Sequence, residues 1–253
     1  GFRLDAVKHI GAHFYKDLIR QLRQHYQKEL FTVGEYWHGD VRRLCNYLNE
    51  VEGEVSLFDV PLHYHFYEAS YANGNYDMAK IFDGTLVQIA NDKAVTFVDN
   101  HDTQPSQGLQ SWIADWFKPL AYALILLRKD GYPCIFYGDY YGIPYSQISG
   151  KSEMLDCLLF LRKNYALGLQ RDYFDDSSII GWVRDGLQKS GLVCLMSDSV
   201  GGCKTMYVGL QYAGTYWYDA LGNYKAHIQI DGQGNGVFIV NGGSVSVYIQ
   251  ANE

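Results

Sequence analysis

The sequence predicts an α/β fold, with parallel strands alternating with helices over roughly its first 170 residues, followed by an antiparallel all-β domain. Three observations predict it. Short apolar runs each end in an acid: Phe2-Arg-Leu-Asp5, Phe31-Thr-Val-Gly-Glu35 and Ala94-Val-Thr-Phe-Val-Asp99-Asn-His-Asp102. Helical spacing of apolar residues fills the intervals between them, as parallel strands require for their connections. Beyond Gln170 the period falls to two, broken by Gly, Asn and Asp turns. Acids at the carboxyl ends of several parallel strands sit where an α/β barrel keeps its chemistry.

In chain order, Phe2, Leu4 and Ala6 alternate with Arg3, Asp5 and Val7, so a strand here aims Arg3 and Asp5 at one face. The helix predicted over His13 to Leu30 carries Phe14, Leu18, Leu22 and Tyr26 on one stripe; Val41 to Val51 repeats the pattern through Leu44 and Leu48. Val55 to Leu62, Lys93 to Val98 and Pro133 to Tyr137 read as the next strands, the last preceded by an apolar helix from Trp116 to Arg128. That makes five strands where a closed barrel takes about eight. The antiparallel strands are expected at Ile179–Arg184, Gly191–Ser197, Thr205–Leu210, Tyr216–Asp219, Ala226–Ile230, Gly236–Val240 and Ser244–Gln250.

Composition narrows the function. The chain has 28 acidic against 21 basic side chains, a net charge of -7, and no basic run, which argues against nucleic acid or anionic lipid as the main partner. Its longest apolar helix, around Leu120 to Leu127, is too short to span a membrane. Five cysteines, Cys45, Cys134, Cys157, Cys194 and Cys203, lack zinc-binding spacing and read as free, mostly buried thiols, which favours a cytoplasmic location over a secreted one. His63 and His65 form a His-x-His pair on the strand expected there, read as packed histidines rather than metal ligands.

The runs Gly1-Phe-Arg-Leu-Asp-Ala-Val-Lys-His9, Gly34-Glu-Tyr-Trp37 and Phe97-Val-Asp-Asn-His-Asp-Thr-Gln104 resemble, in order, three signature blocks of the α-amylase family, the thirteenth family of glycoside hydrolases. The resemblance covers essentially the whole chain. It implies strands 4 to 8 of a (β/α)8 barrel in residues 1–170, and a carboxyl-terminal β-sandwich domain in 171–253. An earlier block with an Asp and an Asn-His pair belongs upstream of Gly1, so the chain reads as the carboxyl-terminal part of an enzyme. The isolated 253 residues, with two open barrel edges, are expected to be inactive.

The resemblance also implies the site. Asp5 is the nucleophile of a retaining glycosidase, Glu35 the acid and then base, and Asp102 the residue that orients sugar hydroxyls. Arg3 is expected to hold Asp5 ionised, while Glu35, beside Tyr36 and Trp37 with no adjacent cation, is expected to hold its proton more tightly. Arg3, Lys8, His9, Trp37 and His101 are the substrate-binding residues, with Trp37 reading equally well as a core residue. Lys8 and His9 resemble enzymes acting on α-1,4 rather than α-1,6 linkages. Calcium is the implied cofactor, with the backbone carbonyl of His9 as one ligand and the others outside this chain. Gly74-Asn75-Tyr76 and Asp198 resemble part of a further calcium site, but Ser177 and Ser178 stand where relatives carry His and Asp, so that site is not expected.

The reading is therefore an endo-acting α-amylase hydrolysing starch, glycogen or maltodextrins, a monomer when full length. Its rivals are a non-catalytic glucan-binding fragment and a transglycosylase using the same three acids.

Overall fold

The computed structural model describes residues 1–187 and 190–251. The chain packs as two compact units: the first holds Gly1–His65, Phe82–Phe97 and Asp130–Cys134, the second Phe66–Ile81, Val98–Lys129 and the described residues from Ile135 onward.

The first unit is built on five strands, β1 (Phe2–Leu4), β2 (Thr32–Gly34), β3 (Ser56–Phe58), β4 (Ala94–Phe97) and β5 (Tyr132–Cys134), paired in sequence order. Every pairing is parallel: Arg3 lies opposite Val33, Gly34 opposite Leu57, Phe58 opposite Val95 and Phe97 opposite Cys134. The connections carry helices α1 (Ala12–Tyr26), α2 (Val41–Glu50), α3 (Val60–Tyr71), whose residues from Phe66 belong to the second unit, and α4 (Leu86–Ile89). A Cβ on Gly34 would sit 3.1 Å from side-chain atoms of both Leu57 and Val7, so a larger residue here would have to push these neighbours aside.

Several local expectations change: the strand expected over Pro133–Tyr137 ends at Cys134, the one expected over Thr205–Leu210 lies at Gly202–Tyr207, and a further strand forms at Gln170–Tyr173. Strand β1 stops at Leu4; Ala6 turns into the left-handed region at φ 43° and a 3-10 helix spans Val7–His9, so Val7 is buried rather than sharing the face of Arg3 and Asp5. Helix α1 buries Tyr15 and Ile19 and leaves Phe14 51% exposed; its buried stripe lies one residue beyond the expected one. The strand expected to run to Leu62 ends at Phe58, because Asp59 caps a helix. Its Oδ1 accepts the Leu62 N–H at 3.2 Å, its carbonyl accepts the His63 N–H at 3.2 Å, and Pro61 suits a first turn that needs no donor. His63 and His65 consequently lie on α3, not on a strand face, and His63 is buried against Phe97 with ring centroids 5.2 Å apart.

In the second unit, α5 (Lys118–Leu126), α6 (Tyr137–Tyr141), a short hairpin of β6 (Gly142–Ile143) with β7 (Ile148–Ser149), and α7 (Ser152–Asn164) precede the remaining strands. These are β8 (Gln170–Tyr173), β9 (Ile179–Arg184), β10 (Leu192–Ser197), β11 (Gly202–Tyr207), β12 (Tyr216–Asp219), β13 (Ile228–Gln229), β14 (Asn235–Val240) and β15 (Ser244–Gln250). They form an antiparallel six-stranded sheet in the order β13-β12-β15-β10-β9-β8 and a separate β11-β14 ribbon. Trp217, Tyr248, Leu195 and Val183 of the sheet share one apolar core with Met206 and Phe238 of the ribbon. The C-terminal carbonyls of α5 are capped by arginines: Arg162 donates to the Leu126 carbonyl and Arg184 to that of Leu127 at 3.3 Å. All five cysteines are free; only Cys194 is fully buried, Cys203 is exposed and the other three are half-buried, so the thiols are less sheltered than expected.

Candidate active site

In the first unit, the ends of β1 and β2 bring together three of the residues singled out from the sequence. The Arg3 guanidinium donates to Asp5 Oδ1 and also lies 3.3 Å from Glu35 Oε2. Glu35 therefore does have a cation beside it, contrary to expectation, because parallel register sets Arg3 next to the strand that delivers Glu35. Glu35 is 5% exposed whereas the Asp5 side chain is open to solvent. Its backbone is locked to β1: the Glu35 N–H donates to the Leu4 carbonyl at 2.9 Å and its carbonyl accepts the Val7 N–H at 3.0 Å. The carboxylate itself accepts the Ala6 N–H at 3.2 Å. Two acids on adjacent strand ends, one exposed and one buried, bridged by one guanidinium, can divide nucleophilic and proton-transfer work between them.

Lys8 and His9 are exposed on the 3-10 turn and, with Tyr36, Arg43 and Asn46, line a polar cleft of about 680 Å³. Lys8 Nζ donates to the Trp37 carbonyl at 3.3 Å, so the lysine is tied to the strand end that carries Glu35. Trp37 is half-buried; its Nε1 donates to the Tyr64 hydroxyl at 3.0 Å and its ring packs near His63 and Phe97. The indole is held from its inner side, which leaves part of it at the surface.

His101 and Asp102 belong to the second unit, on the loop that follows β4. His101 Nε2 is 3.4 Å from Asp102 Oδ2, and both side chains are partly exposed. Asp102 is held from beneath by its backbone: the Asn100 side-chain oxygen accepts the N–H of Asp102 at 2.8 Å and of Thr103 at 2.9 Å.

One buried ionic feature escaped the sequence reading. Asp99, Lys118 and Asp139, all buried, form a single ionic cluster under this loop. Its signal was present: Lys118 is a lone cation in the otherwise apolar run that leads into Leu120–Leu127, and such a residue is buried only when paired. Burial pushes the Asp99 acid up to about 7.

Among the described residues no group of three or more His, Cys, Asp and Glu side chains comes together to hold a metal. Where the sequence resembles part of a further calcium site, Asp198 is buried with no hydrogen-bond partner for either carboxylate oxygen among the described residues, and burial pushes it up to about 6. The neighbouring Asp176 already accepts the N–H groups of Ser178 and Ile179.

Residues 1–166 match the family described as alpha amylase, catalytic domain. The chain is 53% identical over 252 residues to an α-amylase of Geobacillus stearothermophilus, a match covering 98% of this chain and 46% of that one. It is 45% identical over 260 residues to a cytoplasmic α-amylase of Escherichia coli K12, covering 98% of this chain and 52% of that one. The chain thus spans about half the length of the curated relatives it matches. In structure it resembles an Anoxybacillus α-amylase with a TM-score of 0.71 at 20% identity, covering 99% of this chain and 58% of that chain.

Proposed function

Because the chain belongs to the α-amylase family of glycoside hydrolases, we propose that it carries the catalytic acids for endo-hydrolysis of α-1,4-glucosidic bonds in starch, glycogen or maltodextrins, with retention of configuration. The observation that supports this best is the pairing of exposed Asp5 with buried Glu35 through Arg3 on adjacent strand ends.

In this reading Asp5 attacks the anomeric carbon from one face of the sugar ring while Glu35 donates its proton to the departing glycosidic oxygen. A covalent glycosyl-enzyme forms, and the aglycone leaves. Glu35, now ionised, takes a proton from an entering water, whose oxygen displaces Asp5 from the anomeric carbon. Two inversions give net retention. The Arg3 guanidinium orients Asp5 for attack and compensates the Glu35 carboxylate between the two half-reactions, and the Ala6 N–H steadies that same ionised form. Asp102 and His101 hold the hydroxyls of the sugar being cleaved. Lys8, His9 and the exposed part of Trp37 receive the sugars on the leaving-group side.

The family reading extends to the architecture: β1 to β5 are strands 4 to 8 of a (β/α)8 barrel, residues 1–170 are the second part of the catalytic barrel, and 171–253 form a β-sandwich domain. A cytoplasmic, monomeric enzyme is part of the same proposal. Calcium is the metal the family implies, with the His9 carbonyl as one ligand and the others outside this chain; no catalytic step above uses it.

Release of reducing ends from soluble starch tests the proposal, using the chain alone and co-expressed with the amino-terminal part of an α-amylase relative. Activity lost by at least a thousandfold in Asp5→Asn supports it. Activity within about tenfold of the parent, corresponding to about 1.4 kcal/mol of barrier, removes Asp5 from the nucleophile role. Retardation in a starch gel without turnover in either preparation favours a glucan-binding role instead.

A further inference from the structure

The buried cluster beneath the Asp102 loop does more than fill space. Lys118 is fully buried at the start of α5; its ammonium donates to Asp99 Oδ2 at 2.8 Å and to Asp139 Oδ1, and lies 3.1 Å over the centroid of the Trp112 ring. The second oxygen of Asp139 accepts the Tyr122 hydroxyl at 2.6 Å. The second oxygen of Asp99 accepts the Thr103 hydroxyl at 2.7 Å. Thr103 Oγ1 in turn accepts the Asn100 N–H at 2.9 Å, and the Asn100 side chain accepts the Asp102 N–H. An unbroken series of hydrogen bonds therefore runs from helix α5 to the backbone of Asp102.

Desolvating an ammonium and two carboxylates costs several kcal/mol for each ion, and well-packed apolar side chains stabilise such a position at least as well. What apolar packing does not supply is direction. The cluster has exacting geometry: Lys118 and Thr103 take separate oxygens of Asp99, Lys118 and Tyr122 separate oxygens of Asp139, and Thr103 supplies a side-chain donor from the loop. Ile113 adds its N–H to Asp99 Oδ2 at 3.3 Å, so both ends of the 99–113 loop converge on one carboxylate.

We propose that Thr103, acting with the Asp99–Lys118–Asp139 cluster, is a positioning residue that sets the turn presenting Asp102 to substrate. The placement of the turn follows from the hydrogen bonds; its consequence for turnover rests on the reading of Asp102 as a catalytic residue.

The test compares Thr103→Val, which keeps the shape and removes the hydroxyl, with Thr103→Ser, which keeps the hydroxyl. Hydrogen exchange across residues 99–104 is measured on the chain, and kcat and KM for maltoheptaose on the active preparation. Thr103→Val is expected to speed exchange at the Asp102 and Thr103 amides at least tenfold and to lower kcat about tenfold with KM within threefold, and Thr103→Ser to return both to within threefold of the parent. Tyr122→Phe, which frees one Asp139 oxygen at the far end of the series, is expected to shift exchange in the same direction by about threefold, and keeps the test open should Thr103→Val not fold. Unchanged exchange in Thr103→Val or in Tyr122→Phe, or a serine variant that behaves like the valine one, overturns the proposal. A parent without turnover counts against the amylase reading, while the exchange comparison still decides the positioning claim.

Discussion

The N–H of Ala6 donates to the Glu35 carboxylate at 3.2 Å, and Ala6 directs it there from the left-handed conformation, at φ 43°. An alanine tolerates that region at a cost of about 1–2 kcal/mol, and a β-branched side chain tolerates it less well. Ala6→Val is therefore expected to lower stability by roughly 1–2 kcal/mol and to pull the N–H off Glu35, reducing turnover more than thermal stability. Urea denaturation alongside starch hydrolysis checks both; a variant equal to the parent in each would mean the turn is not strained and the N–H contributes nothing.

Arg3 meets two carboxylates with two different nitrogens, Nη1 and Nη2. A lysine ammonium cannot reproduce that planar fork. Arg3→Lys is expected to lower kcat by roughly 10–100-fold, the equivalent of about 1.4–2.7 kcal/mol, with a smaller change in KM. Full activity in the lysine variant would show that charge alone suffices.

Asp59 is wholly buried and accepts the N–H groups of Leu62, Leu86 and Val87, yet desolvation outweighs those bonds and pushes its acid up to about 6. An unfolded aspartate titrates near 3.9. Between those values the folded state holds a proton that the unfolded state does not, so this group's contribution to stability falls as pH rises from about 4 to about 6. Asp59→Asn is expected to flatten that part of the curve, while costing roughly 1–3 kcal/mol because its amide nitrogen would face a backbone N–H. Denaturation at pH 4.5 and 7 gives both quantities. An unchanged difference between the two pH values would show that Asp59 does not titrate in this window.

Five free thiols are expected by mass spectrometry after denaturation and alkylation without reductant. Cys203, exposed on β11, is expected to react with a bulky reagent in the folded protein well before Cys194, buried on β10. A disulfide in the purified protein would contradict the free-thiol arrangement and the cytoplasmic reading with it.

Local pattern alone determined much of this molecule. Alternation bounded by turn residues located Ile179–Arg184, Tyr216–Asp219 and Ser244–Gln250 to the residue, because period two and a β-strand's two faces are the same fact. Acids at run ends located Asp5, Glu35 and Asp102 at strand ends or on the loops beyond them, since a short strand leaves its last polar residue at its mouth. Tertiary structure decided the rest. Val55 to Leu62 is equally good strand or helix by hydropathy, and Asp59 resolved it by capping a helix while its carboxylate reached across to Leu86 and Val87. Arg3 was assigned to Asp5 by adjacency, but only the parallel register of β1 with β2 brought Glu35 within 3.3 Å of the same guanidinium. Lys118 stands 19 residues from Asp99 and 21 from Asp139. Periodicity reports which face a side chain occupies, whereas the partner of a buried charge is set by which distant elements pack against that face, and that is settled only when the chain closes on itself.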